Sequence, residues 1–252
     1  MTISEAKHEL KPAVILVGSD KGGVGKTTVT RTLLDYYEAK NVPTSAYDTE
    51  APRGALKRFH PNVTEVVDIT SIPDQMRVFD TLKASDVTLI DIRAGLLSST
   101  LSVLQDIGFI EAARKGQVSL GVFHILGPSI SSLNEIGEIS KFVNGTNYFL
   151  VKNMINNTAY FEWDPVTYDT YFKKTKSAHQ VTIPHLNEMA CEQVELASVP
   201  FTTFIANKKA SGESASYSLV LRGYVRHWLN NVWSEYDRIK LNEVMEVGEP
   251  RQ

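Results

Sequence analysis

The chain has 252 residues, of which 42% are hydrophobic and 22% charged, with one cysteine and a formal net charge of −3. One cysteine excludes an internal disulfide and any multi-cysteine metal or cluster site made by one chain, and the small negative charge argues against global attraction to nucleic acid while leaving room for a local basic patch. No apolar run approaches the roughly 18 residues of a membrane span and the first residues are charged rather than signal-like, so we expect one cytoplasmic α/β domain over 1–252, with an ordered core of about 12–241 and Cys191 as a core thiol.

In chain order, apolar β-rich runs at 13–17, 44–47, 65–69, 87–90, 118–126, 148–151 and 181–183 alternate with amphipathic segments. That alternation predicts crossover connections and a mostly parallel, twisted sheet covered by helices on both faces, with ligands at the carboxyl ends of the strands. The first run leads into Gly18, Ser19, Asp20, Lys21, Gly22, Gly23, Val24, Gly25, Lys26, Thr27 and Thr28, and a helix is predicted over 28–39. Strand, glycine-rich loop and helix in that order form a phosphate-binding loop. The glycines let successive N–H groups converge on one anion, and the helix N-terminus adds its partial positive charge. Lys26 supplies a cationic donor to the phosphates of a nucleotide, Thr27 a hydroxyl for Mg²⁺, and the backbone from Gly22 through Val24 to Thr28 the remaining contacts.

Two acids, Asp48 and Glu50, leave the end of the second strand on one side. Asp48 could hold Mg²⁺-bound water, and Glu50 could orient or deprotonate the water that attacks the γ-phosphate. The fourth strand delivers Asp91, the Walker-B acid, as a second metal-site residue beside Thr27. Gly95 then leaves backbone room for a responsive loop, and Arg93 reads as a surface arginine. His124, inside an apolar strand, reads as a satisfied core histidine, and Ser129 to Ser132 as the serine-capped start of a helix.

The run Lys21 to Thr28 resembles the deviant loop of the ParA/MinD family of ATPases, because the usual first glycine is Asp20 and a second lysine, Lys21, follows it. The family's acid-x-acid segment is matched by Asp48 and Glu50, its D-x-x-A-G segment by Asp91 to Gly95, and its strand-ending asparagine by Asn153. The resemblance covers about residues 13–201. It implies a P-loop fold, ATP/ADP and Mg²⁺ as ligands, a homodimer in the ATP state, and Lys21 reaching the partner's phosphates. It also implies that Asn153, with Asn156 as competitor, reads adenine, and that Pro184 and His185 flank the base. An amide suits that task because it donates and accepts at once. The second acid here is Glu rather than Asp, and the extra methylene, roughly an ångström or more of reach, implies slow, partner-stimulated hydrolysis.

Aromatics from Tyr160 to Phe172 interleave with Lys173, Lys174 and Lys176, which favours a packed lid or subunit contact over base stacking. Leu221, Tyr224, Val225, Trp228, Leu229, Val232, Tyr236 and Ile239 form one helical stripe, read as a final covering helix, with 242–252 loosely held. The expected role is an ATPase whose dimer switch positions or segregates DNA through an adapter or activator protein, with non-specific DNA held by Arg53, Lys57, Arg58, Arg222, Arg226 and Lys240. The alternative is a MinD-like membrane- or protein-bound spatial regulator, with membrane the weaker partner.

Overall fold

The structure, a computed structural model, describes residues 11–83, 86–155, 158–172, 175 and 178–247. Seven strands form one sheet: β1 (Ala13–Gly18), β2 (Thr44–Asp48), β3 (Thr64–Val66), β4 (Val87–Asp91), β5 (Ser119–Leu126), β6 (Asn147–Asn153) and β7 (His179–Ile183). Their order is β3-β2-β4-β1-β5-β6-β7, and every pairing is parallel. The helices are α1 (Lys26–Ala39), α2 (Ile72–Phe79), α3 (Leu97–Asp106), α4 (Phe109–Arg114), α5 (Ile130–Ile139), α6 (Pro165–Tyr171), α7 (Glu188–Ala197), α8 (Phe201–Ile205), α9 (Leu219–Arg238) and α10 (Leu241–Val244).

Strand periodicity explains the two layers. Ala13, Ile15 and Val17 of β1 join one core, with Phe123 and Ile125 of β5 and Phe149 and Val151 of β6, under α1, α7, α8 and α9. Val14 and Leu16 join the other, with Leu120, Val122 and Leu150, under α3 and α5. Side chains alternate across a strand, so a central parallel strand must be apolar on both faces, which is why β1, β4 and β5 read as continuous apolar runs. Burying each such side chain stabilises the fold by roughly 1.5–3 kcal/mol.

The expected mostly parallel, helix-covered sheet is present. Three local expectations are corrected. The strand predicted over 65–69 is only Thr64–Val66, because the chain leaves the sheet edge toward α2. Tyr224 is not part of the α9 stripe: it is half exposed, while Val225, Trp228, Leu229, Val232 and Tyr236 are buried. Residues 242–247 are held, since Met245 packs against Gly121, Asn147 donates to the Val244 carbonyl (3.0 Å) and Lys11 pairs with Glu246 (2.5 Å). Among the described residues, no helix is long and apolar enough to cross a membrane.

A buried acid ties α1 to α8. Asp35 accepts from the Phe201 N–H (2.9 Å) and the Thr202 hydroxyl (3.1 Å), capping the short helix. Burial pushes its carboxyl up to about 7, against the opposing pull of Arg31 and Thr202. An acid whose folded pKa is raised opposes folding once ionised, a penalty absent below about pH 4 and complete above about pH 7. Wild-type protein should therefore lose stability relative to Asp35→Asn across that window, by on the order of a few kcal/mol. Denaturant titrations at several pH values measure this, and a difference that stays flat with pH contradicts it.

Candidate phosphate and base clefts

The loop after β1 is held from three sides. Gly23 and Gly25 adopt φ of 71° and 86°, a region costly for other residues. Asn153, at the end of β6, donates from Nδ2 to the Val24 carbonyl (2.9 Å), and a Cβ on Gly25 would lie 2.2 Å from that nitrogen. Glu135 of α5 accepts from the Ser19 hydroxyl (3.2 Å) and the Asp20 N–H (3.1 Å). Asp20 in turn accepts from the Ser98 N–H (3.2 Å) and the Ser98 hydroxyl at the start of α3. Burial works to raise the Glu135 pKa, but hydrogen bonds from His124, Asp20 and Ser19 outweigh it and hold the carboxylate below its ordinary value.

Lys26 donates from Nζ to the Lys21 carbonyl (3.2 Å), turning back over its own loop. Burial draws its ammonium below the ordinary lysine pKa, while Asp91, Glu50 and Glu135 oppose the shift. Lys21 behaves differently. It is exposed, and its ammonium lies against the Ser131 hydroxyl (3.4 Å) at the start of α5.

Thr27 donates to Asp91 Oδ2 (2.7 Å) and Thr30 to Oδ1 (3.1 Å), at the end of β4. Burial pushes Asp91 up to about 7, moderated by the Thr27 hydrogen bond. A cleft of about 290 Å³ gathers Gly23, Gly25, Lys26, Thr27, Thr28, Asp48, Glu50, Asp91 and Arg93. Gly22 and Val24 do not line it; Val24 is buried and turns its side chain toward Gly127. Glu50 is exposed on the cleft. Asp48 lines the cleft and also has a task the sequence did not show: Oδ1 accepts the Glu50 N–H (2.9 Å) and Oδ2 the Leu56 and Lys57 N–H groups (2.6 and 3.3 Å). Its carboxylate therefore folds the loop that carries Glu50.

The donor set fits Mg²⁺. The Thr27 hydroxyl and the Asp91 carboxylate meet in a site where burial disfavours the bare anion, so a hard cation relieves it. No group of three or more His, Cys, Asp or Glu among the described residues could hold a metal alone. That suits Mg²⁺, which keeps waters and phosphate oxygens in its shell.

A second cleft, of about 320 Å³, continues from Gly23, Gly25 and Thr28 to Asn153, Met154, Ile155, Pro184 and His185. Asn153, Pro184 and His185, expected around a base, thus line one cleft, and one amide N–H of Asn153 is given to the loop. Asn156 lies outside the described residues. Cys191 corrects the expectation of a core thiol: it is exposed on α7 and lines this cleft, because the buried face of α7 carries Ala190 and Val194 instead. Two lining residues escaped the sequence reading. Arg31 of α1 is 2% exposed and donates from Nη1 to Glu195 Oε1 of α7 (2.7 Å), while Arg58 pairs with the other Glu195 oxygen. Arg31 lies 3.4 Å from the Phe59 ring centre and 4.2 Å from that of Phe201. Arg31 lies between Thr30 and Thr32 in the sequence, so no local pattern singled it out.

His124 is fully buried between the Tyr148 hydroxyl (2.9 Å) and Glu135 (3.4 Å), as a core histidine. Ser129 caps α5 through the Ser132 N–H (3.3 Å). In the aromatic segment, Tyr160 and Phe172 are buried and Lys152, paired with Glu162 (2.7 Å), lies over the rings of Tyr168 and Phe172. Lys173, Lys174 and Lys176 lie outside the described residues. Of the six basic candidates, Arg58 is paired, Arg222 is half-buried and donates to the Ile205 carbonyl (3.2 Å), and Lys240 pairs with Glu243 (3.0 Å). Arg53, Lys57 and Arg226 are exposed.

Neither a protein-family model nor a curated protein sequence matches the chain. Solved structures do. The chain is similar to a ParA family ATPase from Chlorobium tepidum TLS at 12% identity, covering 87% of this chain and 98% of that one with a TM-score of 0.53. It is similar to the septum site-determining protein MinD from Pyrococcus horikoshii OT3, complexed with Mg-ADP, at 16% identity, covering 92% and 98% with a TM-score of 0.54. The chain therefore has the P-loop α/β fold of the ParA and MinD structures over most of its length.

The packing of Asn153 on Gly25 yields a test. Gly25→Ala should abolish nucleotide binding in calorimetry, since it adds both a clash and a strained φ. Adding Asn153→Ala should not restore it, because the φ of 86° remains; full recovery in the double variant would mean that the clash alone matters.

Proposed function

We propose, from the fold shared with ParA and MinD, that this chain is a Mg²⁺-dependent ATPase whose ATP-bound homodimer and ADP-bound monomer alternate to position or segregate DNA. The observation that carries this reading is the convergence of Lys26, Thr27 and Asp91 on one cleft while Lys21, four residues before Gly25, stays exposed beside α5. A lysine needed only by its own phosphates would sit over the loop centre, as Lys26 does. Lys21, exposed and with its ammonium against the Ser131 hydroxyl, is placed to serve a second copy.

Within the cleft, the loop N–H groups and Lys26 hold the β- and γ-phosphates, and Thr27 with Asp91 holds the metal. Bound Mg²⁺ supplies charge neutralisation at the phosphate oxygens. Glu50 orients the attacking water. Its backbone is set by Asp48, so we assign Asp48 to positioning Glu50 and, through water, to the metal. Lys26→Ala should abolish ATP binding. Lys21→Ala should keep binding yet lose ATP-dependent dimerisation and turnover, by roughly 10³- to 10⁵-fold if the lysine acts as an activating cation in trans. Glu50→Ala should trap the ATP dimer. Calorimetry, sedimentation and single-turnover hydrolysis read these separately, and a Lys21 variant that dimerises and hydrolyses normally removes that lysine from the mechanism.

A second reading, a membrane- or protein-bound regulator, is favoured by exposed Leu219, Val220 and Tyr224 at the start of α9 and by exposed Trp163 and Val166 beside α6. Co-sedimentation with DNA and with anionic vesicles, each with ATP and with ADP at two salt concentrations, separates the readings. DNA binding should appear with ATP and weaken with salt at a log–log slope of about −0.9 per phosphate contact. Vesicle binding without ATP-dependent DNA binding rejects the DNA reading, and binding to neither points to an adapter-mediated role.

A further inference from the structure

The base cleft contains a polar group that none of the preceding roles uses. Arg31 is almost wholly buried, yet its Nε and Nη2 have no hydrogen-bond partner among the described residues. Those two nitrogens share one edge of the guanidinium plane, the edge that meets paired acceptors. Phe59 and Phe201 pack against the plane and Glu195 takes Nη1, so only this fork is left over. Unpaired buried donors are costly and uncommon, which makes them pointers to an absent partner.

Its position says which partner. Helix side chains tilt toward the N-terminus, so Arg31, one turn beyond Thr28, reaches back toward the loop and lines the same cleft as Gly25, Thr28, Asn153 and Pro184. A nucleotide whose phosphates occupy the loop leaves its nucleoside in this cleft. Asn153 gives one of its two amide N–H groups to Val24, and Arg31 adds a second pair of donors to the residues lining this cleft.

We propose, resting on the nucleotide-binding reading above, that Arg31 determines nucleoside recognition by donating from Nε and Nη2 to two neighbouring acceptors of a bound purine nucleoside. The fork is closed off from solvent here, so side chains of the cleft wall must shift on binding; Glu195, which holds Nη1, has a second partner in Arg58. A purine nucleoside offers paired acceptors at ring N3 with the ribose 2′-hydroxyl, or, in guanine only, at N7 with O6.

Calorimetry of the full chain with Mg²⁺ and ATP, 2′-deoxy-ATP, GTP or inorganic tripolyphosphate tests this in wild type, Arg31→Lys and Arg31→Met. Arg31→Lys keeps a cation opposite Glu195 and so guards against a fold defect in Arg31→Met. Both variants should weaken at least one nucleotide tenfold or more and leave tripolyphosphate within twofold. A loss for ATP that 2′-deoxy-ATP escapes identifies the sugar edge, and a loss greatest for GTP the guanine edge; either supports the inference. Unchanged nucleotide affinities, or an equal loss for tripolyphosphate, overturn it while leaving the phosphate-loop reading intact. Wild-type protein that takes up neither ATP nor tripolyphosphate overturns that reading and this inference with it.

Discussion

The hydrogen bond from Asn153 to the Val24 carbonyl is the contact on which the site's geometry rests. A chain that points several N–H groups at one centre has turned its carbonyls outward, and each of those must find a donor. Val24 finds one on β6, two strands away from β1 in the sheet. The same nitrogen fills the space beside Gly25, so glycine is required there twice, for its left-handed φ and for the missing Cβ. Glu135 and Ser98 do comparable work at the loop entry. These bonds hold the loop from outside its centre, and such pre-ordering lowers the cost of binding for any ligand there.

Charge is buried around this loop in an uneven way. Arg31, Asp35 and Asp91 all lie under the sheet's carboxyl edge or along α1, each nearly or fully inaccessible. Asp35 is satisfied by α8 and Asp91 by two threonines, but Arg31 keeps an unpaired edge. Buried charge is poor material for stability, because desolvation offsets much of the Coulomb gain. Two of the three, Arg31 and Asp35, sit on the helix that follows the loop, and Asp91 ends the strand beside it.

The exterior carries weaker information. Basic residues that read as a DNA-binding set are partly consumed by intramolecular pairs, with Arg58 on Glu195 and Lys240 on Glu243. Exposed pairs of this kind contribute at most about 1 kcal/mol each, so a polyanion can compete for their cations. Apolar side chains at the start of α9, Leu219, Val220 and Tyr224, offer a rival surface.

Length, the apolar runs and the glycine loop were enough to determine the parallel sheet and to single out Lys26, Thr27, Glu50 and Asp91, which the fold gathers on one cleft, because a central strand must be apolar on both faces and a phosphate loop has few workable spacings. Contacts between segments far apart in sequence were not legible in that way. That Asp48 would bond its own loop, that Asn153 would donate to Val24 and that Cys191 would face the cleft rather than the core depended on how neighbouring elements approach. Arg31 and Glu195, 164 residues apart, have no shared motif at all. Local propensity and periodicity act over a few residues, whereas the partner of a buried polar atom is chosen by packing across the whole sheet, and only the tertiary structure decides it.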